Sequence, residues 1–333
     1  MNAAPPALLI ALDALADTVD PGRVAREAER LQQRYRTPGT DLSRTVPLTA
    51  DQAAAYAIYR MPATYAAVRA ALAELQASDP TFAPTSLLDV GGGPGAAAWA
   101  AGEAFDTITS ATVVERDPAM ATVGRSLAAL SPYAALRDGE WIAADLTGPD
   151  ALPGADLATA SYSLGELAPS ALHAVVDRLL AAAPTVVVVE PGTPAGFATV
   201  HEVRAQLIEA GRTIAAPCPH DERCPMADTP GDWCHVAARL TRSSAHRRAK
   251  GATLGYEDEK FSYVAATSRP AGRTAARVLR HPQIRSGHVR LRLCTRDNGL
   301  QDVTVSKRQG AAYKAARDVD WGDRFDALPD PPP

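Results

Sequence analysis

Residues 86–101 read SLLDVGGGPGAAAWAA: a short apolar run, then Gly91, Gly92, Gly93 and Gly95, then an alanine-rich stretch. Strand, glycine turn and helix in that order open a parallel sheet wrapped by helices. Glycines there let the backbone approach a ligand closely and leave amides free at the helix start, so the loop is expected to bind a nucleotide-like cofactor. A tight turn with no ligand has the same composition, and the flanking strand and helix argue against it. Outward from this stretch, SATVVER, EWIAADL, DLATASYSL and TVVVVEPG repeat the alternation of apolar runs and helical stretches, which predicts a doubly wound α/β sheet. Upstream, ALLIALDALADTV, PGRVAREAERLQQRYR and TADQAAAYAIYRMPATYAAVRAALAELQA carry apolar positions at three-to-four spacing, with starts marked at Pro21 and Thr49. Downstream, HEVRAQLIEAGR reads as a helix, and FSYVAATSR, HVRLRLCT and QDVTVSKR resume strand character.

The acids near the glycines narrow the ligand. Asp89 precedes the loop, where a pyrophosphate would be repelled; the sulfonium and amino group of S-adenosylmethionine would be attracted. The next strand ends in Glu115, about twenty residues on, where a carboxylate accepts ribose hydroxyls, with Asp117 as the alternative. Asp145 closes the third strand and is placed to meet the adenine amine. Any one of these acids alone could simply cap a helix or a turn, but three at successive strand ends match the place where open α/β sheets bind ligands.

All four cysteines, Cys218, Cys224, Cys234 and Cys294, fall in the C-terminal half, three of them inside PCPHDERCPMADTPGDWCHV. Pro and Gly between them turn the backbone so that several thiolates can face one centre, with His220 and His235 close by. Free thiols packed as small hydrophobes are the bland reading. Zinc would show a tighter Cys-x-x-Cys pair, so the spacing favours an iron–sulfur cluster on four thiolates over zinc. Disulfides are not expected, because MNAAPPALLIALDALADTVD lacks the basic start and unbroken apolar run of a secretory signal.

The chain has 333 residues, 46% of them hydrophobic, and no apolar run approaches the roughly 20 residues of a membrane span. The net charge of −4 is unevenly spread. Residues 236–317 hold 18 Lys+Arg against 5 Asp+Glu, or +13, leaving 16 against 33, or −17, elsewhere. Such a segment points to a phosphate-rich partner, nucleic acid foremost, unless it is an arginine-rich solvated surface.

Taken together, AYAIYRMPATYAAV, LLDVGGGPGAAAWAA, SYSLGEL, VVVVEPGTPAGF, CPHDERCP, WCHVAARLTR, YEDEKFSYVAATSR and VSKRQGAAYKAARDVDWGD resemble the methyltransferase-like family of the mitochondrial small ribosomal subunit and its bacterial relatives, over roughly residues 50–325. The resemblance implies a class I methyltransferase-like (Rossmann-like) fold that binds S-adenosylmethionine, and a [4Fe–4S] cluster on Cys218, Cys224, Cys234 and Cys294. It also implies a role at the small ribosomal subunit and its rRNA. The protein is expected in the bacterial cytoplasm, without a membrane and monomeric off the ribosome. The expected layout is a helical N-terminal region, 1–80; a cofactor-binding core, 81–200; a cysteine-rich segment, 201–260; C-terminal strands, 261–325, completing the sheet with a basic RNA-facing surface; and a disordered tail, 326–333. HVRLRLCTRDNG and VSKRQGAAYKAAR supply Arg and Lys for phosphates, including Arg290, Arg292 and Arg296. Trp233, Tyr256 and Tyr263 are stacking candidates, against the commoner buried role.

Methyl transfer requires an aligned acceptor and, where needed, a base. After the fourth strand the chain reads SYSLGEL, without the Asn/Asp-Pro-Pro pattern of amino-methylating enzymes. Its catalytic residues are therefore unassigned: Glu166 is a candidate base and Tyr162 a candidate platform, each with an equally good structural reading. Two functions are carried forward, an rRNA methyltransferase and a cofactor-binding assembly factor that transfers no methyl group. A zinc-containing small-molecule methyltransferase is disfavoured by the +13 segment.

Overall fold

The computed structural model describes residues 4–36, 47–251, 253–297 and 299–328. Three helices come first: α1 (Pro6–Asp17), α2 (Pro21–Arg36) and α3 (Ala50–Ser78). Thr49 closes a capping box with Gln52 at the start of α3, satisfying donors that the helix itself leaves open. Alanine at many positions lets α3 bury itself nearly all round, against α4 and the sheet.

Five parallel strands follow, β1 (Ser86–Val90), β2 (Ser110–Val114), β3 (Glu140–Ile142), β4 (Leu157–Ser161) and β5 (Thr185–Pro191). The helices between and beyond them are α4 (Ala96–Ala104), α5 (Pro118–Ala128), α6 (Ala134–Arg137), α7 (Pro169–Ala182) and α8 (Pro194–Glu209). β4 and the first six residues of β5 are buried throughout, as strands covered on both faces must be. Each buried Val of the TVVVVE run contributes roughly 1.5–3 kcal/mol. β6 (Thr213–Ala216) and the long β8 (Tyr256–Thr267) complete the sheet in the order β3-β2-β1-β4-β5-β8-β6, with β8 antiparallel to its neighbours and β7 (Val236–Thr241) paired to the first half of β8. This strand order, with one antiparallel strand inserted beside the fifth, is the class I methyltransferase form of the Rossmann-like sheet.

Residues 201–260 hold the end of α8, then β6, β7 and α9 (Ser244–Lys250), and the stretch between β6 and β7, where three of the cysteines lie, has no helix or strand. One feature departs from the expected layout: the C-terminal strands do not all complete the main sheet. β9 (Ala276–Val278), β10 (Gln283–Arg285), β11 (His288–Thr295) and β12 (Gly299–Ser306) form a separate antiparallel sheet around β11. Its apolar face, with Val289, Leu291, Leu293 and Val305, packs on Ala316 of α10 (Ala311–Asp318) and on Phe325. Buried Arg277 on β9 ties this sheet back, donating to Glu74 Oε2 on α3 at 2.6 Å and to the Pro217 carbonyl at 2.8 Å. The tail expected over 326–333 lies mostly outside the described residues; Asp326 within it accepts from Thr274 and Ala275.

Candidate functional site

A cavity of about 380 Å³ opens at the carboxyl ends of β1 to β4, within the size range of small-molecule sites. It sits where the chain order reverses between β1 and β4, the switch point at which open α/β sheets hold ligands. Gly91, Gly92, Gly93, Glu115, Asp117, Asp145, Tyr162 and Glu166 all line it, together with Met61, Arg116 and Ser163.

The loop achieves its shape through glycine. Gly91, Gly93 and Gly95 take positive φ, of 61°, 53° and 85°, and a Cβ on Gly92 would lie 2.6 Å from Val113 Cγ1. Gly95, which caps α4, meets the Trp141 ring instead of the cavity. The loop amides are mostly spent internally. Gly91 and Gly92 donate to the Val114 carbonyl, Gly93 donates to Glu115 Oε2 at 2.8 Å, and Gly95 donates to the Gly92 carbonyl. The loop therefore offers a ligand close approach rather than a row of vacant donors.

Glu115 also accepts from the Asp117 amide at 2.7 Å, so both carboxylate oxygens are fixed, and burial pushes its pKa up. Asp117 caps α5 through Ala119 and Met120 and accepts from the Leu48 amide at 2.8 Å, fastening the approach to α3 against the site. Asp145 accepts from the Thr147 amide and hydroxyl, which hold its pKa down, and lies 3.7 Å from Arg116.

Asp89 is the main correction. It is fully buried beneath Gly92, does not line the cavity, and accepts from the Thr159 hydroxyl at 2.9 Å. Among the described residues its Oδ2 has no hydrogen-bond partner, and burial raises its pKa to about 7. The residue props the loop from below, outside the cavity lining.

Beyond the end of β4, Tyr162 has φ 54°, the one positive φ outside glycine among the described residues, a strained conformation typical of functional positions. Its hydroxyl donates to Glu259 Oε1 at 2.9 Å, Arg60 donates to the same oxygen at 3.0 Å, and the Arg60 guanidinium lies 5.2 Å from the Tyr162 ring centroid. Glu166 is half-buried in the turn after Tyr162. That turn is braced by buried Glu190, which accepts from the Leu164 and Gly165 amides at 2.9 and 3.1 Å and whose own pKa burial lifts to about 7.

None of the four cysteines is in a disulfide. Chain segments far apart bring them together: Cys224 and Cys294 are buried with Met226 and Leu279, and Cys234 packs against that group. Burial is the largest cause of the raised pKa of Cys234, followed by Cys218, Cys224 and Cys294. Cys294, pushed up to about 12 by burial, also feels Cys218 and Cys224. Every pair of the four is thus in electrostatic reach. Among the described residues, no three His, Cys, Asp or Glu side chains converge tightly enough to hold a single metal ion. Four cysteine sulfurs are the donor type that iron–sulfur clusters use. His220 Nε2 lies 3.6 Å from Cys294 Sγ, whereas His235 is turned away to stack on Trp233 at 5.1 Å.

A family model described as "Mitochondrial small ribosomal subunit Rsm22" matches residues 50–326. The chain belongs to the Rsm22 family. It is 26% identical over 303 residues to the human ribosome assembly protein METTL17, mitochondrial, covering 82% of this chain and 62% of that one. It is 26% identical over 331 residues to the Rsm22-cox11 tandem protein 2, mitochondrial, of Schizosaccharomyces pombe, covering 84% of this chain and 44% of the relative. The chain therefore spans about half to three-fifths of the length of these curated relatives. Magnesium protoporphyrin IX methyltransferase from Synechocystis PCC 6803 with bound SAM superposes with a TM-score of 0.39 at 12% identity, covering 73% of this chain and 97% of that one; the fold assignment rests on the strand order instead.

The Rsm22-family chain uses its arginines less freely than their number implies. Arg239, Arg242, Arg269, Arg273, Arg277, Arg280 and Arg292 are all paired with carboxylates. Arg285, Arg290, Lys307 and Arg308 stay exposed on and beside the second sheet. Arg296 is exposed beyond β11 and donates to the Arg273 carbonyl. Tyr263 is buried in the main core and cannot stack on a base. Trp233 is half-buried with its Nε1 donated to the Gly192 carbonyl, and Tyr256 is exposed with the Arg239 guanidinium 4.6 Å from its ring centroid. Sequence reading passed over Glu190, Glu259 and Arg60; the acid closing TVVVVE was the available signal for the first.

Proposed function

We propose that the chain binds S-adenosylmethionine in the cavity at the ends of β1 to β4, carries a [4Fe–4S] cluster on Cys218, Cys224, Cys234 and Cys294, and works on the small ribosomal subunit through its rRNA. The observation that carries the proposal is the cavity itself, which unites the glycine loop with Glu115 and Asp145 at the switch point. Glu115 would accept the ribose hydroxyls, Asp145 would face the adenine end, and Gly91 to Gly93 would let the backbone close on the ligand. The bound cofactor supplies an electrophilic methyl group; the chain supplies binding and orientation. Cys218, Cys224, Cys234 and Cys294 would hold the cluster, which would tie the segment 218–234 to the second sheet. The ribosomal role follows the family match and the word "assembly" in the human relative's name.

Subunit assembly is the first reading of that role. Methylation of rRNA is the second, favoured by Tyr162 and Glu166 lining the same cavity as the glycine loop. As part of the proposal, the protein acts in the bacterial cytoplasm and is monomeric off the ribosome. Among the described residues, no helix is long and apolar enough to cross a membrane.

Calorimetry with S-adenosylmethionine and, separately, with a nicotinamide dinucleotide tests the cavity. Binding of the first and not the second is expected, and the reverse result would overturn the assignment. Comparing methylation of small-subunit RNA between a deletion strain and its parent decides between the two roles: a lost methyl group establishes transfer, and an unchanged pattern with defective subunits establishes assembly alone.

A further inference from the structure

Arg204 on α8 is only 6% exposed. Among the described residues no carboxylate lies within 4.0 Å of its guanidinium, and Asp221, the acid it feels, is itself paired with Arg273. Its Nη2 donates to the carbonyls of His220 at 2.8 Å and Glu222 at 2.9 Å, which pins the group inside the loop between Cys218 and Cys224. Its Nε is buried without a hydrogen-bond partner among the described residues. The Cys218 sulfur is within its hydrogen-bonding reach, and Cys224 is the next sulfur it feels.

A guanidinium stays protonated at any pH a protein survives. A buried cation without a counter-charge is strongly destabilising, and carbonyl oxygens supply only partial charge. Four neutral thiols supply none, whereas four thiolates around a cluster leave a net negative centre. We propose that Arg204 is the built-in counter-charge of the thiolate-bound centre, retaining it in the pocket and favouring its reduced form. The inference rests on the iron–sulfur reading above. A positive charge beside a cluster stabilises the more negative, reduced state, so removing it makes reduction harder.

The test uses the full chain purified anaerobically, with Arg204→Gln and Arg204→Lys. Gln retains a donor for the two carbonyls and removes the charge; Lys retains the charge and loses the planar fork. Iron, sulfide and zinc contents, the midpoint potential by EPR-monitored titration, and the thermal midpoint of loaded and chelator-stripped protein are measured. Arg204→Gln is expected to lose iron several-fold or to shift the midpoint potential downward, with Arg204→Lys close to wild type. The stripped proteins should reverse the order: without the centre, Arg204→Gln melts above wild type, because an uncompensated cation is gone. If Arg204→Gln keeps wild-type iron and potential while Arg204→Lys loses the centre, Arg204 only braces the loop, and the inference is wrong. Wild-type protein without metal would refute the iron–sulfur reading before any variant is compared and take the inference with it. Stoichiometric zinc would refute the cluster alone, and zinc lost from Arg204→Gln but kept by Arg204→Lys would uphold the counter-charge.

Discussion

At the glycine-loop end of the main sheet, side chains arrive from four consecutive strand ends, and their polar atoms are already satisfied by nearby backbone: Glu115 by Gly93 and Asp117, Asp145 by Thr147. In the thiol pocket the groups come from a loop, from the approach to β7 and from a strand of the second sheet, and a buried arginine has no carboxylate partner among the described residues. The first site is built by the sheet and stands without its ligand. The second encloses a buried guanidinium that, among the described residues, has no carboxylate within 4.0 Å, and the proposed centre would supply its counter-charge. The comparison predicts that losing an occupant costs the cavity little and the thiol pocket much.

The largest effect should therefore follow Cys224→Ser. Anaerobically purified wild type is expected to be brown with about four irons per chain; the variant should lose the colour and melt several degrees lower, because folding and metal binding are coupled. Removing S-adenosylmethionine from wild type should move the melting temperature far less. Equal shifts in the two experiments would erase the contrast between the regions.

Next in size is Gly93→Arg. The space in front of Gly93 is open, with no atom within 4 Å of where a Cβ would stand, and its φ is positive. A long side chain there fills the cavity and strains the loop, so calorimetric binding of S-adenosylmethionine should vanish while iron content stays at the wild-type level. Loss of iron in this variant would mean that the two sites are not independent.

How far each site was legible follows from the same contrast. The strands of the main sheet announce themselves as apolar runs, and SLLDV followed by four glycines fixes where the chain turns towards a ligand. Asp89 was misread because sequence places an acid beside a loop but cannot tell whether the loop closes over it. HVRLRLCT shows a period of two, which marks a half-buried strand and not the sheet it joins; hence the second sheet was missed. The cysteines were legible as a group by their confinement to one half of the chain, whereas Arg204 was one arginine of an ordinary helix until its burial was known.

Asp89 provides a third measure, on the side of the preformed site. With its folded pKa raised to about 7 from about 3.9 in an unfolded chain, it binds its proton more tightly when folded. The stabilising contribution is fully present below the unfolded value and is lost as pH rises through about 7, a difference on the order of 4 kcal/mol. Wild type should consequently melt lower at pH 8 than at pH 5, and Asp89→Asn should shrink that drop. It will not abolish it, since Glu190 is shifted in the same direction. An unchanged drop in thermal melts of the variant would show that Asp89 does not carry this cost.

The smallest expected effect lies on the face of β11 that joins the two themes of charge and thiols. Residues 288, 290, 292 and 294 alternate onto one side, so Arg290 stands two positions from Arg292, which Asp302 already neutralises at 2.6 Å, and four from Cys294. Arg285 on β10 pairs in register with His288 and is exposed. If this face meets rRNA, each phosphate contact releases about one counterion, so Arg285→Gln with Arg290→Gln should lower the salt dependence of binding to small-subunit RNA by about two in the logarithmic slope. Arg292→Gln added to these should change it less, because that charge is already spent within the sheet. Iron content is measured in the same samples, since disturbing β11 endangers Cys294. A slope unchanged in protein that keeps its iron would return these arginines to a solvated surface and leave the thiol pocket without a nucleic-acid face beside it.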